Sequence, residues 1–339
     1  MQVSTIGVDL AKNVFQVHGV DSAGKVVITR QLRRKQVIDF FSKISPCLVG
    51  MEACGTAHHW AREVSKLGHT VRLMPPSYVK GYVKRSKNDA ADAAAICKAV
   101  TRPSMRFVPI KSADQQALLM LHRTRDLLIR QRTQLINALR AHLAEFGLVA
   151  ETGREGLAQL AEIITDESNR EALPSAMKAI VDQLAALELQ IGALDRAIHA
   201  HHRANDMSCR IETVPGIGVI AATAIASTVT DPSDFKSGRD FAAWIGLVPR
   251  QHSTGGKERL GGISKQGDRY LRRLLVIGAT SVVQHARRHP QKHPWIIRLL
   301  ARKPAKLVAV AVANKMARIA WAIMAKGGYY RAPELAAAT

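Results

Sequence analysis

The chain has 339 residues, with 49 Lys and Arg against 27 Asp and Glu, a formal net charge of +22. With 47% hydrophobic residues it can build packed cores, which excludes a disordered chain, and its length suggests about two domains with a connecting element. Aromatic residues make up only 5%, which argues against a β-sandwich or propeller and favours helices. The four cysteines lack CxxC spacing, which excludes a disulfide scaffold or zinc ribbon and fits a reducing compartment.

The positive charge predicts a polyanionic partner. From residue 207 onward there are 21 Lys and Arg against 7 Asp and Glu, a net charge of +14, whereas the first 206 residues carry 28 and 20, a net of +8. The C-terminal part is therefore the main predicted polyanion-binding region. No run of about 18 apolar residues and no signal-peptide pattern is found, so we expect a cytoplasmic, nucleoid-associated protein without a membrane partner.

The N-terminal part alternates short apolar runs with helical spacing. Strands are predicted over 3–9, 14–20, 25–32, 47–51 and 70–73, and helices over 35–44, 56–67 and 87–100. The order β-β-β-α-β-α-β-α is that of an RNase H-like domain. The predicted fold class is thus α/β followed by α, with an RNase H-like domain over 1–108.

Two long helices are predicted next, over 112–146 and 175–201, as a coiled-coil-like linker region over 109–206. Apolar residues recur in the second helix at steps of three and four, as at coiled-coil a and d positions. They are Leu184, Leu187, Ile191, Leu194 and Ile198. An antiparallel hairpin within one chain and a dimer interface bury this stripe equally well. Four arginines of the first helix are predicted phosphate contacts: Arg123, Arg125, Arg130 and Arg132.

The region over 207–330 is predicted to be a mostly helical C-terminal domain. Residues 215–218 (PGIG) precede a small-residue helix over 219–228, which is typical of a helix–hairpin–helix element. Further helices are predicted over 235–245, from Lys265 onward and over 305–326, and 246–262 is predicted as a Gly-rich loop. Backbone N–H groups at Gly216 and Gly218 could bind DNA phosphates, although the small residues also suit close helix packing.

Four carboxylates are candidates for metal binding. Asp9 and Glu52 each end a predicted strand, the edge at which open α/β sheets place their sites, and Asp89 and Asp92 share one helix face. Brought together, they would need cations between them, and oxygen-only ligands suit Mg²⁺, with Mn²⁺ as a substitute. Taken singly, each acid also fits a cap or surface role.

The Gly-rich loop holds two hydroxyls, Ser253 and Thr254, among glycines and basic residues. Such a setting suits a hydroxyl nucleophile whose attacked phosphate is held by cations, or a phosphate-contacting loop without chemistry. The predicted nucleic-acid-binding set comprises Gly216, Gly218, Arg250, Lys257, Arg259, Lys265, Arg269, Arg272 and Arg273.

Six segments in this order carry a resemblance. They are GVDLAK (7–12), EACGT (52–56), KNDAADA (87–93), PGIG (215–218), GLVPR (246–250) and ISKQGDRYLR (263–272). Over residues 3–326 the chain resembles the DEDD-type insertion-sequence transposases of the IS110 family, particularly its IS1111 group.

The resemblance implies a RuvC-like N-terminal domain with Asp9, Glu52, Asp89 and Asp92 as a metal-binding tetrad. It also implies a serine nucleophile that forms a covalent phosphoserine with DNA. The partners would be double-stranded DNA at the element ends and target, a structured non-coding guide RNA, and further copies of the chain in a dimer or tetramer. The family serine directly precedes a glycine, whereas here Thr254 separates Ser253 from Gly255. Because a primary hydroxyl is less hindered than a β-branched one, Ser253 is the favoured nucleophile and Thr254 the alternative.

Two other functions remain open at this stage. A Holliday-junction resolvase would use the acidic tetrad and water without a protein–DNA adduct. A non-catalytic nucleic-acid-binding scaffold would need none of these acids. No P-loop is found, so nucleotide hydrolysis is not expected to drive the reaction.

Overall fold

A five-stranded mixed sheet organises the N-terminal part of the chain. In the computed structural model, which describes residues 2–83, 88–166 and 175–332, its strands are β1 Thr5–Leu10, β2 Val14–Val20, β3 Val26–Arg33, β4 Leu48–Glu52 and β5 Thr70–Met74. The spatial order is β3-β2-β1-β4-β5. β1 pairs antiparallel with β2 and parallel with β4, which in turn pairs parallel with β5. All five predicted strands are confirmed, with ends within two residues.

Helices cover both faces of this sheet. They are α1 Val37–Ser42, α2 Ala57–Lys66, α3 Pro76–Val79 and α4 Asp89–Val100. On one face, buried strand residues such as Val8 and Met51 pack in a core with Phe41 of α1 and Trp60 of α2. The helix predicted over 35–44 is shorter because Arg34–Gln36 form a 3₁₀ turn. The helix predicted over 87–100 begins at Asp89, and Lys87 lies outside the described residues.

The helix α4 packs directly on the opposite face because two neighbouring strand positions are glycines. Gly7 of β1 and Gly50 of β4 are register partners. A Cβ at Gly7 would overlap the Ala93 carbonyl and the Cys97 backbone, and one at Gly50 would lie 2.8 Å from the Val100 Cβ. The missing side chains therefore let the helix backbone approach the sheet more closely than any other residue would allow.

The rest of the described chain is mostly helical. Its helices are α5 Ala113–Ala144, α6 Arg154–Thr165, α7 Ser175–Arg203, α8 Asp206–Glu212, α9 Val219–Thr228, α10 Gly238–Ile245, α11 Arg269–Arg288, α12 Pro294–Leu300 and α13 Ala305–Lys326. Contacts divide the chain into two compact units, residues 1–114 and 115–339. The mixed α/β sheet followed by a helical region agrees with the predicted fold class.

The long helices α5 and α7 form an antiparallel hairpin within one chain. Arg125 forms an ion pair with Asp195, and Arg132 lies 2.9 Å from Glu188, so the partners run in opposite directions. The apolar residues at this hairpin's far end form one buried cluster with α6: Leu139, Leu143, Leu160, Met177 and Leu184. The intramolecular alternative for the stripe of α7 is thus the one that the single chain adopts.

Three of the arginines on α5 that are predicted to contact phosphate have partners within the protein. Arg125 and Arg132 pair with carboxylates of α7, and Arg130 lies 3.5 Å from Asp126 on its own helix. The charges of Arg125 and Arg132 are matched because α7 presents acids at the facing positions. Of the four arginines predicted to contact phosphate, Arg125 and Arg132 therefore stabilise the helical hairpin, whereas Arg130 pairs within α5.

The helix α13 is the centre of the second unit's core. It buries nine residues: Val308, Ala309, Val312, Ala313, Met316, Ala317, Ala320, Ile323 and Met324. Among the described helices it is the one long and apolar enough to cross a membrane, but half of its apolar stretch is buried inside this unit. That burial is what a core helix of a globular domain requires.

Candidate functional site

Two of the predicted acids lie at one edge of the sheet. β1 and β4 are parallel, and their register runs from Thr5 opposite Leu48 to Val8 opposite Met51. The next residue of each strand is Asp9 and Glu52, and both side chains are half-buried. Side chains two apart on a strand share a face, so Asp9 and Glu52 lie on the same face as Gly7 and Gly50. This is the face that α4 covers.

The first turn of α4 approaches the same edge. The Cys97 thiol donates a hydrogen bond to the Thr5 carbonyl at 3.7 Å, and Ala93 lies against Gly7, so α4 runs antiparallel to β1. From Ala93 back to Asp89 the helix advances about 6 Å, and from Gly7 to Asp9 the strand advances about 7 Å the same way. The helix thus places its first turn beside the ends of β1 and β4.

The cap of α4 fixes where the two helix acids stand. The Asn88 side chain accepts a hydrogen bond from the Ala91 N–H at 2.8 Å and is the N-cap. Asp89 and Asp92 therefore lie inside the first turn and not at the cap, with Asp89 exposed and Asp92 half-buried. Burial raises the pKa of Cys97, behind this turn, to about 11, so its thiol stays neutral as a hydrogen-bond donor.

Asp9 and Glu52 share an edge and a face of the sheet, and the first turn of α4 approaches them, but the four carboxylates do not form a compact metal cluster. Within residues 2–83, 88–166 and 175–332, no group of three or more His, Cys, Asp or Glu side chains is close enough to hold a metal ion. The donor set nevertheless suits a hard divalent cation, because all four groups are carboxylates.

The loop predicted over 246–262 is instead a β-hairpin, which corrects that expectation. Its strands are β6 Pro249–Gln251 and β7 Leu260–Ile263. At the tip, Thr254 and Lys257 exchange backbone hydrogen bonds of 3.3 and 3.1 Å around Gly255 and Gly256. Both glycines have positive φ, of 55° and 75°, as a two-residue type I′ hairpin turn requires.

The hairpin orients the Ser253 hydroxyl. Its Oγ accepts hydrogen bonds from the Gln251 Nε2 at 3.2 Å and from the Arg259 N–H at 3.4 Å. These contacts leave the hydroxyl proton available for donation, and Ser253 is exposed on a hairpin whose tip carries Lys257. Thr254 lies one residue nearer the tip, where its backbone closes the turn.

The predicted nucleic-acid-binding residues fall into two groups. Lys257, Arg259, Lys265 and Arg269 are exposed. The other group has partners within the protein, although Arg250 and Arg273 are also exposed. Arg272 donates hydrogen bonds of 2.6 Å to the carbonyls of Ile245 and Gln266, and Arg273 forms an ion pair with Asp126. Arg250 donates to the Ser264 carbonyl at 3.1 Å across the base of the hairpin. In this structure the second group holds backbone and helix positions.

The two glycines of the helix–hairpin–helix turn also differ. Gly216 has a φ of 89°, and a Cβ there would lie 2.7 Å from Val282 and 2.9 Å from the Gly278 carbonyl, so packing on α11 requires glycine. Gly218 is the exposed N-cap of α9, and a Cβ there would meet no atom within 4 Å. Only the Gly218 end of the turn is thus open to a phosphate.

A Ser–His–Glu cluster that sequence reasoning missed has the distances of a hydrolytic triad. The His202 Nδ1 lies 2.8 Å from the Ser208 Oγ, and its Nε2 lies 2.9 Å from the Glu212 Oε2. Ser208, however, is fully buried, so no substrate reaches its hydroxyl. The cluster joins α7 to α8. The only sequence signal was the close spacing of its members.

A second missed cluster joins three helices in the core of the second unit. The buried His122 of α5 lies 3.1 Å from the Tyr270 hydroxyl on α11 and 3.1 Å from the Thr223 Oγ1 on α9. Burial lowers the pKa of His122 to about 4, with a smaller contribution from Arg125. Burial raises the pKa of Tyr270 to about 12.

We expect this histidine to make the second unit sensitive to acid. The folded pKa lies below the unfolded value of about 6.5, so the stabilisation is complete above pH 6.5 and is lost progressively down to about pH 4. Between pH 7 and pH 5 the loss is about 2 kcal/mol. Urea unfolding followed by tryptophan fluorescence should show this loss in the natural chain and a smaller one in His122→Gln. Equal losses in both would contradict the assignment.

Comparisons with known proteins cover nearly the whole chain. Residues 6–147 match the sequence model of the DEDD transposases of the IS110 group, described as "Transposase". Residues 208–294 match the model described as "Transposase IS116/IS110/IS902 family". The first match contains all four candidate acids and the second contains the hairpin with Ser253.

Three relatives match over most of their own lengths. The "Probable family 20 transposase" of Pseudomonas aeruginosa is 53% identical over 98% of this chain and 99% of that protein. The "Transposase for insertion sequence element IS1111A" of Coxiella burnetii is 38% identical over 97% and 92%. The "Pilin gene-inverting protein" of Moraxella bovis is 24% identical over 96% of both.

Proposed function

Because the chain belongs to the IS116/IS110/IS902 family of insertion-sequence transposases, we propose that it cuts and rejoins DNA with an acidic tetrad and a serine nucleophile. The protein is a DNA transposase, and its substrate is the DNA of the insertion-element ends. The observation that carries the proposal is the placement of Asp9, Glu52 and the first turn of α4 at one edge and one face of the sheet.

In the proposed site, a divalent cation is held by Asp9, Glu52, Asp89 and Asp92. The cation is Mg²⁺, and Mn²⁺ can substitute for it. When bound, the cation polarises the scissile phosphate and stabilises the charge that develops on it. The sheet order and helix arrangement support an RNase H-like, RuvC-like domain over 1–108, followed by a linker over 109–206 and a C-terminal transposase domain over 207–330. A chain that builds this site needs Gly7 and Gly50, since they bring α4 to the strand ends.

The proposed covalent step belongs to Ser253. Its Oγ forms a bond to phosphorus, the bond from phosphorus to one deoxyribose oxygen breaks, and the hydroxyl proton passes to the departing oxygen. A deoxyribose hydroxyl of the second DNA end then attacks the phosphoserine, the bond from phosphorus to the Ser253 Oγ breaks, and the proton of the attacking hydroxyl returns to that oxygen, which restores a phosphodiester and the free serine. The number of P–O bonds is conserved, so the exchange needs no nucleotide hydrolysis, in line with the missing P-loop.

Ser253→Ala is expected to abolish the covalent protein–DNA adduct, because it removes the hydroxyl that Gln251 and the Arg259 N–H orient. Thr254→Ala, at the neighbouring residue, is the matched control and should retain the adduct, since Thr254 makes its contacts in the turn through its backbone. In the experiment, each full-length protein is incubated with guide RNA, element-end DNA and Mg²⁺. The DNA-linked peptide is then identified by mass spectrometry.

The outcomes of this experiment separate the alternatives. An adduct that survives Ser253→Ala and disappears in Thr254→Ala would move the nucleophile to Thr254. Cleavage that continues without any adduct would instead identify a resolvase that uses water. The relative named for inverting a pilin gene supports the rejoining reaction, because inversion requires cut ends to be joined again.

We further propose that the protein works with RNA and in several copies. The net charge of +22 suits two polyanions, the element DNA and a structured non-coding guide RNA that pairs with donor and target. The assembly would be a dimer or tetramer in which the acidic site of one subunit meets the serine of another, in the cytoplasm at the nucleoid. Co-purification of a discrete RNA, lost on RNase treatment together with target binding, is the test.

A further inference from the structure

A large groove lies in the second unit along the exposed side of α13. Its volume is about 1400 Å³. Its walls are α13, the start of α10, the base of the β6–β7 hairpin, and the segment over 327–331 that follows α13. Small-molecule pockets typically have about 300–1,000 Å³. The groove therefore has the size of a site for a segment of an extended polymer.

The groove is lined by cations without acids. Five basic residues line it: Arg239, Lys315, Arg318, Lys326 and Arg331, all exposed. Among the described residues of the lining there is no Asp or Glu. Lys315, Arg318, Ala322 and Lys326 follow at steps of three and four, so they form one stripe opposite the buried face of α13. Such a stripe suits a polyanion backbone.

Aromatic side chains stand among these cations. Tyr329 is 62% exposed, and the centre of its ring lies 5.9 Å from the Arg210 guanidinium. The neighbouring Tyr330 N–H donates to the Thr213 Oγ1 at 2.9 Å, which holds the backbone beside it. The Lys315 Nζ lies 4.6 Å from the centre of the Trp295 ring, and both residues line the groove. An ordered aromatic ring that faces solvent beside cations is a platform on which an unpaired base stacks.

The groove is continuous with the base of the hairpin that carries Ser253. Pro249, Gly261, Gly262 and Ile263 form part of its wall. A Cβ at Gly262 would meet no atom within 4 Å, so this wall leaves room for a backbone to approach closely. A strand lying in the groove can therefore continue along the hairpin.

We propose that this groove binds single-stranded DNA, namely the strand that continues from the phosphate attacked by Ser253. The inference rests on the proposed function for the identity of that strand. Cations along α13 contact its phosphates, and Tyr329 stacks on an unpaired base. A duplex does not fit this chemistry, because its base faces are already stacked and closed to the aromatic ring.

The first test is fluorescence anisotropy of a labelled 12-nucleotide single-stranded DNA on the full-length protein at several salt concentrations. Tyr329→Ala should weaken binding by about 5- to 150-fold, the loss of one stacked base. Tyr78→Ala, an exposed tyrosine of the first unit, is its control and should have no effect. The double variant Lys315→Gln with Arg318→Gln should lower the slope of log affinity against log salt by about 1.4.

Two exposed cations that do not line the groove serve as the charge control. Lys306 lies in the first turn of the same helix and Arg302 precedes it, so the double variant Lys306→Gln with Arg302→Gln removes equal charge. An equal drop in salt slope for both double variants, or RNA of the same sequence binding more tightly than DNA, would overturn the proposal.

Photocrosslinking separates this inference from the catalytic one. A strand carrying 5-iododeoxyuridine should crosslink to Tyr329 or Trp295 in the Ser253→Ala variant as well as in the natural chain. Crosslinks in the groove without any serine adduct would support the groove as a DNA-binding site and contradict Ser253 as the nucleophile. A serine adduct that forms normally while crosslinks map elsewhere would overturn the groove alone.

Discussion

Asp9→Asn and Glu52→Gln are each expected to abolish strand cleavage while leaving the fold intact. Both side chains are half-buried at strand ends, so an amide of the same size keeps their packing and removes the negative charge. Removing the hydrogen-bond partner of a metal ligand typically lowers metal affinity or activity by about 10–100-fold. Removing a ligand itself should lower them further. Asp89→Asn and Asp92→Asn should have the same effect, because the first turn of α4, which carries both acids, lies beside the ends of β1 and β4.

Two measurements distinguish a metal role from a general loss of negative charge. The first is cleavage of element-end DNA, and the second is binding of Mn²⁺ without DNA, followed by electron paramagnetic resonance. Asp39→Asn is the control, since this exposed carboxylate pairs with Lys43 at 2.8 Å on α1, which packs on the face of the sheet opposite α4. Cleavage that is unchanged in Asp9→Asn, or Mn²⁺ binding lost equally in Asp39→Asn, would contradict the tetrad.

The sequence predicted the sheet because its strands carry a strong local signal. The strand runs of the first unit are apolar and are bounded by turn residues, and the helices α9 and α13 have the ends that their flanking glycines and proline predict. Carboxylates at strand ends could be placed at one edge from the strand order alone. Their distance from α4 could not, because it depends on how closely Gly7 and Gly50 let the helix approach.

The hairpin and the arginines show what local patterns leave out. β6 and β7 are three and four residues long and exposed, so no apolar alternation marks them. Only the pair Gly255 and Gly256 signals the type I′ turn. The sequence predicts phosphate contacts for the arginines on α5, because a positive charge in a sequence does not reveal which group pairs with it. Asp195 is 70 residues from Arg125 and Glu188 is 56 residues from Arg132, so these acids face the arginines only once the helices fold back.

Gly7→Ala is expected to damage both stability and catalysis, although position 7 carries no reactive group. The new Cβ would overlap the Ala93 carbonyl and lie 2.8 Å from the Cys97 Cα, and backbone atoms cannot rotate away as a flexible side chain can. α4 must therefore move off β1, and overpacking of this kind costs about 3 kcal/mol, the upper part of its usual range. Gly55→Ala is the matched control, because a Cβ there meets nothing within 4 Å.

The informative part of this variant is what happens to the acids. A helix that lifts from β1 carries Asp89 and Asp92 away from Asp9 and Glu52, so Mn²⁺ binding should fall together with the free energy of unfolding. Measured at a temperature where the variant is still folded by circular dichroism, weaker Mn²⁺ binding isolates the displacement from unfolding. Full Mn²⁺ affinity in a folded but destabilised Gly7→Ala would mean that α4 supplies no ligand, and the site would then contain Asp9 and Glu52 without the helix acids.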